Sequence, residues 1–198
     1  MDKNPCSSIG SECSKKEFFA GGYQTKCKYG YGYLEVYLRP AVTNGVVTGF
    51  FIYDGYFDET GESRPRAEID IEFLGDQKDK MYVNYWRNGI RREPPVASIN
   101  LGFDASLEWH KYAIDWSKDT IVWLVDDEQV WTESWDEGKN IGLGWAPNGE
   151  DKAVKSTTPL PTPTGVVILN LYPNTWAGDL DYKGPIYAHF KDIKYFPG

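Results

Sequence analysis

The stretch that decides the fold is "AEIDIEFLG", residues Ala67 to Gly75. Acids stand at every second position, Glu68, Asp70 and Glu72, with Ile69, Ile71 and Phe73 between or after them. A period of two is that of an extended strand, whose successive side chains point to opposite faces. The spacing therefore predicts a strand over 67–74 with one apolar face and one carboxyl face. Two readings of the carboxyl face stand side by side. It can be the solvated side of a half-exposed antiparallel strand. It can also be a working surface, because like charges at consecutive same-face positions repel, and these are the residue types that serve as nucleophile and proton donor in glycoside cleavage.

Similar short alternating runs recur on both sides. "FFAGGYQTKCKYGYGYLEVYLRP" reads as two strands around a Gly-rich turn, and "VVTGFFIYD" as another. Beyond the acidic strand come "MYVNYWRNG", "WHKYAIDW", "TIVWLVD", "EQVWTES", "GVVILNLYP" and "IYAHFKDIKYF". Turn residues separate them, no run carries a convincing helix of three turns, and no internal repeat is present. This is the pattern of an all-β sandwich or barrel. One segment departs from it: Asp136 to Thr164 is polar and then Pro-rich, and is expected to be a surface excursion flanking a cleft. Residues 1–17 are expected to form a polar leader, and 18–198 a single domain.

Composition narrows the function classes. The 198 residues carry a net charge of −8 and 16% aromatic side chains, including eight Trp and fourteen Tyr. No basic footprint for nucleic acid is visible, and no apolar run approaches the ~18 residues of a spanning helix. The expectation is a protein with neither nucleic-acid nor membrane partners. Surplus Trp and Tyr can line a sugar cleft, the rest being core. Cys6 and Cys13 could close a small loop in an oxidising compartment and leave Cys27 free. His110 and His189 lie far from them in sequence, which weighs against a metal site, and a histidine on a strand is more often structural. The Gly30-Tyr31-Gly32 run lacks the following helix of a phosphate loop and reads as a turn. No N-glycosylation sequon occurs.

Glu68 to Gly75, Glu-Ile-Asp-Ile-Glu-Phe-Leu-Gly, resembles without a gap the signature of glycoside hydrolase family 16, in particular its lichenase (β-1,3-1,4-glucanase) branch. Supporting matches are "KYGYGYLEVYLRPA" at 28–41, "FFIY" at 50–53, "NYWRNG" at 84–89, "INLGFDAS" at 99–106 and "HKYAIDW" at 110–116. The resemblance covers residues 19 to 198 in collinear order. It implies a jelly-roll β-sandwich (concanavalin A-like) with a sugar-binding cleft across its concave sheet. Carried over position by position, it implies Glu68 as nucleophile, Glu72 as general acid/base and Asp70 as their assistant. The laminarinase branch has one extra residue before the second Glu, which is absent here.

The same resemblance points to substrate contacts at Phe51, Asn84, Trp86, Asn170, Tyr172 and Trp176. Asn84 and Asn170 carry an additional argument, since an amide on a strand has little reason to be there unless it hydrogen-bonds. It implies an endo-acting, retaining hydrolase of mixed-linkage β-glucan. Alternatives are a xyloglucan- or cell-wall-type transglycosylase using the same carboxylates, and a non-catalytic carbohydrate-binding protein. Secretion, a monomeric state and no required cofactor are implied as well. Lichenases hold a structural calcium; Asp192 matches its side-chain contributor, but the other partners belong to a segment this chain does not match. Three departures remain. Arg66-Ala67 stands where lichenases have Trp-Asp, and Gly22-Tyr23-Gln24 replaces Glu-Tyr-Arg. About two family strands precede residue 19, where this chain has only its polar leader, so a smaller sandwich or a shortened chain is expected.

Overall fold

The computed structural model describes residues 20–55, 65–95, 98–147, 154–162 and 164–198. Fourteen strands form between them: β1 (Gly21–Gln24), β2 (Gly32–Arg39), β3 (Val46–Asp54), β4 (Ala67–Leu74), β5 (Lys80–Arg87), β6 (Ile90–Arg91), β7 (Ile99–Asn100), β8 (His110–Trp116), β9 (Thr120–Val125), β10 (Glu128–Asp136), β11 (Ile141–Trp145), β12 (Val154–Ser156), β13 (Val166–Pro173) and β14 (His189–Pro197). Among the described residues the only helix is a single 3-10 turn, Thr175–Ala177. No helix there is long and apolar enough to cross a membrane.

The strands make two antiparallel sheets. The front sheet runs β1-β13-β3-β4-β5-β6, with β7 also on β5, and the back sheet runs β12-β11-β10-β9-β8-β2-β14. The apolar halves of the alternating strands meet between them. Phe50 and Ile52 of β3, Ile69, Ile71 and Phe73 of β4, and Met81, Val83 and Tyr85 of β5 face the core from the front. Leu34, Val36 and Leu38 of β2, Tyr112, Ile114 and Trp116 of β8, and Trp123 of β9 meet them from the back. This is a jelly-roll sandwich, the all-β fold expected from the alternation.

Two contacts across the core fix β4 in particular. The Trp123 indole N–H donates to the Asp70 carbonyl at 3.0 Å, and Phe73 meets Tyr112 edge-on at 4.9 Å. The back sheet thus holds the backbone between the carboxyl positions, while their side chains project from the other face. On the β6/β12 side a buried polar plug closes the sandwich. Arg92 and Glu133, both fully buried, pair at 2.9 Å. The Trp131 indole donates to the same Glu133 oxygen at 2.8 Å, and the Tyr85 hydroxyl donates to the Thr158 carbonyl at 2.6 Å. On the β1/β14 side a groove of ≈ 610 Å³ opens between the sheets, lined by Tyr23, Trp109, Leu169, Leu171 and Phe190 among others.

Two expectations need correction. The pair of strands read around the Gly-rich turn is not a hairpin: β1 pairs with β13 in the front sheet, whereas β2 pairs with β8 and β14 in the back. The connecting segment crosses between the sheets, bridged to the front one by Tyr29 and Gly165. Alternation reports that a segment is extended, not which strand it joins. The segment from Asp136 to Thr164, expected as a surface excursion, contributes strands as well: β11 and β12 extend the back sheet from it. Glycines at 142 and 144 break the apolar pattern there, and they are required: a Cβ at Gly142 would stand 2.9 Å from the Ser134 carbonyl, and one at Gly144 would meet the buried Glu133 carboxylate. The Cys6–Cys13 pairing and the polar leader 1–17 lie outside the described residues; Cys27 is a free, exposed thiol.

Candidate active site

β4 lies inside the front sheet, between β3 and β5. Its register with them builds three rows on the outer face. Glu68 stands between Tyr53 and Trp86, Asp70 between Phe51 and Asn84, and Glu72 between Gly49 and Tyr82. β13 adds Asn170 opposite Gly49 and, one row on, Tyr172 opposite Val47. The expected residues Phe51, Asn84, Trp86, Asn170 and Tyr172 are therefore brought to the same face as the three acids. Trp176 joins them from the 3-10 turn after β13, edge-on to Tyr82 at 5.5 Å and 45% exposed.

The carboxyl face is far from solvated in the ordinary sense. Glu68 is 7% and Asp70 5% exposed, so the half-exposed reading of this strand does not describe it. Burial, followed by the negative charges of Glu68 and Glu72 on either side, pushes the Asp70 carboxyl well above the usual range. A hydrogen bond with Glu68 acts in the same direction, with Arg66 opposing. Glu72 is also raised, chiefly by burial and also by the charge of Glu68. The Tyr172 hydroxyl, which donates to Glu72 Oε1 at 2.8 Å, pulls it back. Closely spaced acids in a low-dielectric site cannot all ionise, and protons are retained where burial is greatest and compensation least. The two ends of the trio are thus dressed differently. A neutral phenol reaches Glu72, whereas the Arg66 guanidinium bonds Glu68 Oε2.

Gly49 makes the third row possible. A Cβ there would lie 2.5 Å from the Asn170 amide oxygen and 3.2 Å from the Phe51 ring. Side-chain oxygens of Asn84 and Asn170 are both buried without a hydrogen-bond partner among the described residues. Buried acceptors are normally satisfied, and two unsatisfied ones flanking a carboxyl row suit a ligand rich in hydroxyl groups.

The structure gives three residues roles that the sequence does not show. Tyr172, expected as a substrate contact, also bonds Glu72. Trp123 reads in the sequence only as part of a strand, and it holds the Asp70 carbonyl. Arg66, a departure from the lichenase pattern, bonds Glu68, and its shared parity with 68, 70 and 72 is the signal that points to it. Asp192 is not part of the site: it lies at a bulge in β14, on the edge of the back sheet, with φ 53°. Among the described residues no group of three His, Cys, Asp or Glu is placed to hold a metal. His110 is structural, its Nδ1 2.6 Å from Asp126 Oδ2 and its ring stacked on Phe103 at 3.9 Å.

The sandwich and the placement of the trio define the class, a jelly-roll with a carboxyl-lined outer face. Within that class the chain belongs to the glycosyl hydrolases family 16, whose sequence model matches residues 5–156. It is 33% identical over 183 residues to a beta-glucanase of Bacillus subtilis, covering 90% of this chain and 64% of that protein. A beta-glucanase of Acetivibrio thermocellus is also 33% identical, over 182 residues that make up 90% of this chain and 46% of the relative. The chain thus spans less than two thirds of the length of these two relatives. Among solved structures, the Bacillus licheniformis beta-glucanase superposes with a TM-score of 0.66 at 32% identity, covering 88% of this chain and 70% of that one. A prokaryotic beta-1,3-1,4-glucanase (lichenase) from a mouse hindgut metagenome gives 0.68 at 32% identity, covering 89% and 71%.

Proposed function

We propose that this chain is an endo-acting, retaining β-glucan hydrolase of lichenase type, cleaving β-1,4 bonds in mixed-linkage β-1,3-1,4-glucan. The observation that carries the reading is the outer face of β4, where three same-face acids lie together, Glu68 and Asp70 buried and Glu72 half-buried, with unlike partners. Glu68, bonded to a cation, attacks the anomeric carbon. Glu72, raised by burial and so able to hold its proton, donates that proton to the leaving glycosidic oxygen. A glycosyl ester on Glu68 results. Water then attacks the same carbon, loses its proton to the Glu72 carboxylate, and releases the sugar with Glu68 restored. Asp70, hydrogen-bonded to Glu68 and disposed to stay protonated, stabilises the Glu68 carboxylate before it attacks and again as it departs in the second step.

Asn84 and Asn170 accept from sugar hydroxyls, and Phe51, Trp86 and Trp176 give the chain of sugars apolar faces to lie on. The beta-glucanases and the lichenase at 32–33% identity support the choice of substrate. A polymeric glucan is consistent with action outside the cell, and one chain carries the whole trio, consistent with a monomer. No metal or cofactor enters any step.

The test is product analysis. Incubation with mixed-linkage glucan, laminarin and xyloglucan is expected to release oligosaccharides from the first. Glu68→Gln should abolish release, and Glu72→Ala should recover turnover with azide as a glycosyl azide. Full activity of Glu68→Gln would overturn the assignment. Transfer to an added oligosaccharide in preference to water would make the chain a transglycosylase, and binding without products from any glucan would make it a carbohydrate-binding protein.

A further inference from the structure

Arg66 stands just ahead of β4, with the parity of the three acids. Its guanidinium has two anchors. Nε donates to Glu68 Oε2, and the guanidinium carbon lies 4.0 Å from the centroid of the Trp86 ring. Such stacking holds a planar cation over the indole without consuming its in-plane donors. Its backbone is also held. The Arg66 carbonyl accepts from the Gly89 N–H at 2.8 Å, and Gly55 packs so close that a Cβ there would lie 2.9 Å from the Arg66 Cα. The side chain remains 40% exposed, so the cation sits at the solvent edge of a nearly buried carboxyl row.

A symmetric row of three acids would have no reason to place its negative charge on a given member. The partners break that symmetry: a cation on Glu68 at one end, and the uncharged hydroxyl of Tyr172 on Glu72 at the other. A guanidinium bonded through Nε to one carboxylate oxygen also limits rotation of the carboxylate, and restrained reactants lower the entropic part of a barrier. We propose that Arg66, stacked on Trp86, is a positioning residue that grips one oxygen of Glu68 and determines which acid of the trio carries the charge. The inference rests on the hydrolase reading above. It concerns a residue at which this chain departs from the lichenase pattern, Arg66-Ala67 in place of Trp-Asp.

The experiment compares wild type, Arg66→Gln and Arg66→Lys, with thermal melts confirming that all three fold. The first readout is covalent capture by a 2-deoxy-2-fluoro glucan-oligosaccharide donor, followed by intact mass and located by peptide mapping. Capture on Glu68 should be about ten- to a hundredfold slower in Arg66→Gln, the worth of one charge-assisted hydrogen bond. Arg66→Lys should regain part of that rate. The second readout is the pH profile of kcat/KM. The positive charge of Arg66 lowers both Asp70 and Glu72, so its neutral replacement should move the alkaline limb to higher pH, and lysine should return it. Capture in Arg66→Gln at the wild-type rate would overturn the inference. So would slow capture with an unmoved limb and no rescue by lysine, because that is the behaviour of a merely structural residue. A wild type that is neither captured nor active on any glucan would overturn the hydrolase reading and this inference together. An active wild type matched by Arg66→Gln would overturn the inference alone.

Discussion

Replacing Tyr172 with phenylalanine isolates one hydrogen bond in the site. The hydroxyl donates to Glu72 Oε1 at 2.8 Å and is the leading influence holding the Glu72 carboxyl down against burial. A hydrogen bond to a charged group contributes about 1.5–3 kcal/mol. The protonated carboxyl can also accept from the phenol, so only part of this favours the ionised form. Half of the lower figure, at about 1.4 kcal/mol per unit, corresponds to about half a unit, and the whole of it to about one unit. The sign is upward: without the donor, ionised Glu72 loses a partner and the group keeps its proton to higher pH. In the proposed reaction the first step needs Glu72 protonated. The alkaline limb of kcat/KM should therefore move up by about 0.5–1 unit. The second step needs the ionised form, so kcat below the limb should fall wherever deglycosylation is limiting. Steady-state rates on mixed-linkage glucan from about pH 4 to about pH 9 would read both. One competing effect has the opposite sign: removing the hydroxyl could admit water and relieve the burial that raises Glu72. A limb that stays in place or moves down would show that solvation, not the phenol, controls Glu72, and would refute the reasoning.

Other perturbations test the frame around the site. Glu133→Ala leaves Arg92 fully buried without its counter-charge and takes the acceptor from the Trp131 indole. Breaking a buried pair from one side costs about 3–5 kcal/mol, and a urea-melt loss below about 1 kcal/mol would mean that the plug is dispensable. Gly49→Ala places a methyl 2.5 Å from the Asn170 amide oxygen. It should cost about 1–3 kcal/mol by overpacking and raise KM as Asn170 is pushed from its place. An unchanged KM would remove Asn170 from the substrate contacts.

Much of this arrangement was legible in the sequence, for a physical reason. A strand with one buried face has a period of two, and "AEIDIEFLG" states it so clearly that the trio, its parity and its apolar underside could all be read. Phe51, Asn84, Trp86, Asn170 and Tyr172 were legible through resemblance, and the ladder places the first four in the rows of the acids and Tyr172 one row on. Pairing partners were not legible. β1 and β2 sit in different sheets although they are close in sequence, because alternation carries no information about which edge a strand joins. β11 was hidden because Gly142 and Gly144 supply clearance instead of apolar side chains. The reach of side chains from one row to the next was also invisible. Tyr172 to Glu72 spans a hundred positions, and only the fold brings that hydroxyl to the carboxylate.

Crowding three acids on one face, two of them buried, has a consequence for stability that can be measured without any substrate. The Asp70 carboxyl is held well above its ordinary 3.8 by burial and by the charges of Glu68 and Glu72. A group whose folded pKa exceeds its unfolded one leaves the fold most stable below the unfolded value. Stability is then lost as pH rises toward the folded value, because the unfolded chain gives up the proton first. Between the two, the loss is at most about 1.4 kcal/mol per pH unit for one proton. Asp70→Asn keeps the shape and a donor to Glu68 but has no proton to lose. The Trp123 indole is unaffected, because it donates to the backbone carbonyl of residue 70. The variant should match wild type near pH 3, become progressively more stable from about pH 4 upward, and level off once the folded carboxyl has itself ionised. Urea melts at stepped pH would read this directly, alongside reduced turnover if Asp70 assists Glu68. A stability difference independent of pH would show that Asp70 ionises as easily in the fold as outside it. The trio would then not be electrostatically strained, and the division of roles between Glu68 and Glu72 would need another cause. A rising difference with lost turnover would mean that the fold gives up stability to keep a reactive row of acids, the exchange expected where function opposes stability.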